Sequence, residues 1–287
     1  DESRFSTFQG RFVNVNLRAG GSGAAVPLKV TAGLTRGRLR CIVHSSVITS
    51  NCARYGRSSS RYDAIDSFRT KKREFAMTPE EILKLPSMPA ASPSYPMGPY
   101  RFINREFMIV TYETDKDLLR QAVPEPLEPN PENQVLYEWI RMPDSSGFGD
   151  YTESGVVIPC FYKGEPINYT AQMYLDDEPP ISAGREIWGF PKKYALPKLE
   201  VCSDTLTGTV HYAGQLVAMG TMAYKHQVAP GGVEAQAKGM TRTSCNLKII
   251  PNVDGSPRIC LLVAYNLTDF TVKGVWLSPA RLHLVPH

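Results

Sequence analysis

The 287-residue chain has no methionine before Met77 and only five acidic residues among its first 76, against 14 Lys and Arg. The leading segment is therefore strongly basic and the remainder acidic. A nucleic-acid binder that uses its whole surface is excluded, because only the leader could attract phosphates. No run approaches the roughly 18 to 20 apolar residues needed to cross a bilayer, and nothing resembles the apolar core of a secretory signal. The six cysteines, Cys41, Cys52, Cys160, Cys202, Cys245 and Cys260, show no C-x-x-C pair. Neither a zinc site nor a disulfide scaffold is indicated, and free thiols fit a cytoplasmic protein. Also missing are G-x-G-x-x-G, a P-loop, H-E-x-x-H and G-x-S-x-G, so nucleotide, phosphoryl-transfer, zincin and serine-hydrolase readings lose their usual support. The five histidines have no ligand spacing, and Asp176-Asp177-Glu178 runs into two prolines, a turn before it is a metal site.

Residues 1–76, rich in Arg, Ser and Gly, predict a basic, disordered extension: a transit peptide, a basic arm, or an upstream stretch preceding a natural start at Met77. Only short pieces such as Leu39 to Thr49 look periodic. The second unit, 77–287, opens on Thr78-Pro79-Glu80-Glu81, a capping box with proline at the first helical position. Five prolines between Pro86 and Pro99 make a linker. Glu106 to Tyr112 reads as a buried strand and Thr114 to Val123 as a helix with Leu118, Leu119, Ala122 and Val123 on one face.

In Val135 to Met142 the period is two: Leu136, Glu138, Ile140 and Met142 share one face, Val135, Tyr137, Trp139 and Arg141 the other. Glu138 is thus a carboxylate on a face otherwise suited to a core, or an edge residue with its head in water. Short strands follow at 156–162, 168–175, 199–202, 206–212, 216–224, 245–250 and 259–272, separated by Gly, Pro, Asn and Asp turns. The pattern is mainly β, an antiparallel sandwich or barrel with short peripheral helices. Ser182 to Phe190 predicts a short helix delivering Lys192 onto the loop behind it.

Lys192 and Lys193 follow Trp188-Gly-Phe-Pro191. The ordinary reading of a lysine doublet is a solvated pair. A nucleophilic lysine must instead be neutral, and at pH 7 only about one in 2,500 unperturbed lysines is. Making it mostly neutral takes roughly 5 kcal/mol, which burial alone can supply. A second ammonium at about 4 Å adds up to ~4 kcal/mol, but consecutive residues in extended chain point opposite ways. The apolar setting of Trp188, Phe190 and Pro191 therefore ranks as the larger effect, with Lys193 contributing only if a turn folds it back.

From about Ser92 onward the chain resembles the acetoacetate decarboxylase family. The matching runs are Gly98-Pro-Tyr-Arg-Phe-Ile-Asn-Arg105-Glu, Val123-Pro-Glu-Pro-Leu, Tyr151-Thr-Glu153-Ser-Gly, Met173-Tyr-Leu-Asp, Gly184-Arg-Glu, Pro191-Lys-Lys193, Tyr224-Lys-His, Leu247-Lys-Ile-Ile-Pro-Asn and Asp254-Gly-Ser-Pro-Arg-Ile-Cys. Each is short; their order and spacing together are specific. The resemblance implies a β-barrel or cone-like fold, homo-oligomeric assembly, a small keto acid substrate and no cofactor or metal, the imine itself being the electron sink. It makes Lys192 the Schiff-base nucleophile and Lys193 the second lysine. Arg105 would orient the substrate carboxylate, Glu153 transfer protons, Glu138 hold the polar network, and Met173 and Phe190 line the pocket. Phe190 stands where a hydroxylated aromatic also occurs in the family. The family continues beyond the end of this chain at His287, so a C-terminal truncation is expected. Two other readings stay open: an aldolase-dehydratase of the same fold acting on a longer keto acid, and a non-catalytic barrel that binds small acids.

Overall fold

The computed structural model describes residues 8–19, 25–27 and 77–286. They belong to two compact units, residues 1–28 with 85–287, and 29–84. In the order of the chain, β1 spans Phe8–Ala19 and β2 Ala25–Pro27; α1, in the smaller unit, spans Pro79–Ile82. In α1, Thr78 and Glu81 cap each other's backbone as the sequence predicts. The rest of the larger unit follows as β3 (Tyr100–Glu113), α2 (Lys116–Ala122), β4 (Glu128–Pro129), β5 (Gln134–Ser145), β6 (Gly149–Tyr162), β7 (Glu165–Leu175) and α3 (Glu178–Ala183). A π-helical turn at Gly184–Trp188 leads to β8 (Lys192–Tyr194), β9 (Leu196–Cys202), β10 (Thr205–Tyr212), β11 (Gln215–Ala223), β12 (Gln227–Val228), α4 (Gly232–Met240), β13 (Ser244–Pro251), β14 (Pro257–Tyr265) and β15 (Thr268–Leu284).

The strands join in the order β2-β14-β13-β7-β6-β5-β3-β1-β15-β11-β10-β9, with β4, β8 and β12 attached to β6, β7 and β15. This path is open, with β2 at one end and β9 at the other, so the barrel expected from the sequence does not close. Strand β9 instead lies across β5, β6 and β7, and packing of layer on layer replaces the hydrogen bonds of a closing seam. Between the layers, Tyr137 and Trp139 of β5 pack with Met108, Val110, Leu206, Val210 and Val217. The indole donates its N–H to the carbonyl of Thr209 at 3.2 Å. That is the Val135 face of the period-two pattern, and the Leu136 face is turned the other way, onto a cavity.

Several expectations change. Strands β1 and β2 fall within residues 1–76, where composition predicts no folded unit; Val13, Val15 and Leu17 alternate with Asn14, Asn16 and Arg18, a period-two signal that the basic composition hides. Leu39 to Thr49 lies outside the described residues. Helix α2 starts at Lys116 under an Asp115 cap, and Leu118 is 61 % exposed, off the face of Leu119. The run 259–272 divides into β14 and β15 around Asn266-Leu267, and α4 lies where no helix is predicted. No described helix is long and apolar enough to cross a membrane.

Candidate active site

The lysine doublet begins a strand rather than lying on a loop. The helix predicted over 182–190 is α3 followed by the π-turn, which closes on Gly189 at φ 72°, its N–H bonded to Gly184 O. A Cβ at Gly189 would lie 2.3 Å from Cβ of Lys248, so only glycine fits both the backbone and the space. Lys248 Nζ donates to Ile187 O at 3.0 Å and Asn246 Nδ2 to Trp188 O at 3.1 Å. Burial holds the Lys248 ammonium below the ordinary lysine value. From the other side Arg185 donates to Lys192 O at 3.0 Å, and Met173 N donates to Pro191 O at 3.2 Å. These bonds fix the carbonyls that a π-turn leaves over and hold the strand that follows.

On β8 alternation separates the two lysines. Lys192 is 7 % exposed and its Nζ lies 2.6 Å from Glu153 Oε1, itself buried. Its aliphatic stem rests on Gly184, where a Cβ would come within 2.6 Å of Cδ and 2.8 Å of Cε. The Phe190 ring stands 5.2 Å from Nζ. Lys193 is exposed, its Nζ over the Tyr212 ring at 5.9 Å, and it does not line the cavity. No turn folds it back. The apolar setting expected around Lys192 is joined by a buried carboxylate in contact with its amine. The geometry gives it a proton acceptor at hydrogen-bond distance.

The cavity measures about 890 Å³ and runs over one face of β3, β5, β6 and β7. Paired residues cross it in rows. One is Ile109, Glu138, Gly155, Met173, Lys192; beside it run Phe107, Ile140 and Glu153. Arg105 continues the alternation of Phe107, Ile109 and Thr111 onto the same face, and an irregularity adds Phe102 to it. Asn104 has φ 57°, and the alternation of β3 slips there, so Phe102 and Arg105, three residues apart, both line the cavity. The guanidinium carbon sits 4.8 Å from the Phe107 ring centre and 5.2 Å from that of Phe102, and Nε is buried without a hydrogen-bond partner. A planar cation held between apolar rings suits a carboxylate.

All the residues singled out in the sequence except Lys193 are thus brought to one cavity: Lys192, Glu153, Arg105, Glu138, Met173 and Phe190. Two tyrosines were missed. Tyr151 is 4 % exposed and lines the cavity two residues before Glu153, where period two already places it. Burial raises its hydroxyl well above the ordinary value; Glu153 adds to this and Arg105 opposes it. Tyr265 at the end of β14 has no local signal. Burial pushes it up to about 12, against hydrogen bonds from Thr170 and Ser244, with Glu138 adding to the rise. Its ring centre lies 5.1 Å from that of Phe190. Asp176 accepts from Thr152 N at 3.0 Å, and Asp177 precedes α3 as its cap residue. Among the described residues no group of three or more His, Cys, Asp and Glu is placed to hold a metal ion.

Comparison with known proteins gives this geometry a context. Residues 85–287 match the family model described as acetoacetate decarboxylase. The acetoacetate decarboxylase of Burkholderia mallei (strain NCTC 10229) is 58 % identical over 212 residues, 74 % of this chain and 85 % of that protein. The crystal structure of acetoacetate decarboxylase from Legionella pneumophila shares 52 % identity, with a TM-score of 0.66 over 68 % of this chain and 77 % of that one. A further acetoacetate decarboxylase structure aligns at 47 % identity and a TM-score of 0.71, covering 74 % and 85 %.

Proposed function

The chain belongs to the acetoacetate decarboxylase family, and from that premise we propose that it converts acetoacetate to acetone and CO2 through a Schiff base on Lys192. The observation that carries the mechanism is the buried contact of Lys192 Nζ with Glu153 at 2.6 Å, opening on a cavity that also contains Arg105. Glu153 takes a proton from the ammonium, and the neutral amine attacks the ketone carbon of acetoacetate. The carbinolamine loses water to give a protonated imine. The bond from C2 to the carboxylate then breaks, its electron pair flowing into the imine to leave an enamine. Glu153 returns a proton to C2, and water hydrolyses the resulting iminium to acetone and free Lys192.

Arg105 orients the carboxylate beside Phe102 and Phe107. As CO2 forms, the negative charge leaves that oxygen pair and the guanidinium loses its hold, so the interaction positions the ground state and lets the product go. Glu138, on the Lys192 row beside Tyr265, orders the polar groups around the imine. Phe190 and Met173 wall the site. By family resemblance the enzyme also assembles as a homo-oligomer in the cytoplasm, a reading that light scattering and native fractionation test.

Borohydride added with acetoacetate tests the mechanism. An isopropyl adduct on Lys192, read by peptide mass spectrometry, is the expected result. No adduct on any lysine would sink the imine and with it the aldolase-dehydratase alternative. An adduct without CO2 release would leave the alternative and remove the decarboxylase.

A further inference from the structure

The cavity is far larger than a four-carbon acid needs, and part of the surplus lies beyond the Lys192 row on the side away from Arg105. Arg105, Tyr151 and Glu153 occupy the opposite side, which leaves the methyl end of a bound 3-oxo acid facing the surplus. The first row there is Thr111, Leu136, Val157 and Thr170; beyond it Glu113 pairs with Gln134, and Pro159 with Asn168. From Glu138 to Gln134 is four residues along β5, about 13 Å of strand. Leu136 and Val157 make the middle apolar, with Met240 and Leu267 also lining the cavity. At its end Gln134 and Asn168 offer two side-chain amides, and Glu113, Arg242 and Asn266 are exposed at the rim.

We propose that this trough is a tail subsite for 3-oxo acids extended beyond C4 by a chain that is apolar near the ketone and ends in a neutral polar group such as a hydroxyl. The inference rests on the imine-forming reading of Lys192. Its chemistry is the same: the imine forms at C3, the carboxylate leaves C2 as CO2, and the product is the correspondingly longer methyl ketone. A terminal hydroxyl both donates and accepts, so it pairs with an amide of Gln134 or Asn168 in either orientation. A wholly apolar tail of equal length would desolvate those amides without replacing their bonds to water.

Three acids serve as probes: acetoacetate, a straight-chain 3-oxo acid of about thirteen carbons, whose roughly ten bonds beyond C3 span the ~13 Å trough, and its terminal hydroxyl derivative. CO2 release is expected from all three, with kcat/KM for the hydroxylated acid about fivefold to tenfold above that of its plain counterpart, the worth of one net hydrogen bond. In the Gln134→Leu, Asn168→Leu double variant that ratio should fall to about one or below while a borohydride adduct still forms with acetoacetate, which shows that the variant is folded. Turnover of acetoacetate with neither long acid accepted would overturn the subsite and spare the decarboxylase. Equal rates for the two long acids, or a ratio that persists in the double variant, would overturn the polar end of the trough and the proposal with it. Failure of all three acids, with no adduct, would be the failure of the imine reading itself.

Discussion

Two adjacent lysines stand in opposite surroundings, Lys192 buried and Lys193 exposed. Lys192→Ala removes the proposed nucleophile, and turnover and borohydride trapping should both vanish. Lys193 makes an exposed cation–π contact with Tyr212, worth about 0.5–1 kcal/mol, so Lys193→Ala should change kcat/KM less than about fivefold. An equal loss from both would show that the second charge does matter at the site. Glu153→Gln leaves a buried ammonium without its counter-ion, which costs roughly 3–5 kcal/mol, and should also lower kcat by about 10² to 10⁴. Adding Lys192→Met should restore most of the lost melting temperature but none of the activity, since a buried pair replaced by apolar groups is often neutral. Recovery of neither would contradict the ion pair as the cause. Much of this site was legible before any coordinates. Lys192 was marked by its apolar neighbours and Glu138 by its face, while the parts given to Glu153 and Arg105 came through resemblance. Period two carries Arg105 onto the face of Phe107 and Ile109, but it could not place Phe102, because the break at Asn104 moves that ring onto the same face.

At the scale of elements, the π-turn is the device that presents the proposed nucleophile, Lys192. Gly184→Ala would press a methyl to within 2.6 Å of the Lys192 stem, and the flexible side chain is what must yield. The expected result is a fall in kcat and in trapping yield with a nearly unchanged melting temperature. A variant with full trapping would mean that the stem has room to move. Sequence periodicity missed this arrangement for a physical reason: β8 has three residues and runs parallel to β7, too short for any period to show, and a π-turn differs from a helix only in its hydrogen bonds. Strand β5, twelve residues long and half core, half cavity, was plain in the alternation.

For the whole molecule, the buried acids on the layers set an alkaline limit. Burial pushes Cys160 and Cys245 up to about 12 from 9.0, and Tyr137 and Tyr265 up to about 12 from 10.0. The folded state therefore binds these protons more tightly than the unfolded chain. Their contribution is fully present below the unfolded values and is lost as pH rises towards the folded ones. The melting temperature should hold level below about pH 9 and fall steadily between 9 and 12; a flat profile to pH 12 would refute the burial. At pH 8 an alkylating reagent should modify the exposed Cys202 and spare Cys160 and Cys245. The molecular scale was also the least legible. Pairings such as β1 with β3, in which Gln9 meets Thr111, join residues about a hundred positions apart, and no local pattern specifies them.

The two-sided character of β5 reaches beyond this molecule's chemistry. In a saturation mutational scan, positions 135, 137 and 139 should register in an abundance screen, while 136 and 138 should register in a growth selection tied to the reaction. The strand would then accumulate tolerated changes in two interleaved and nearly independent series, so that over evolutionary time specificity could drift at every second residue without disturbing the fold that carries it.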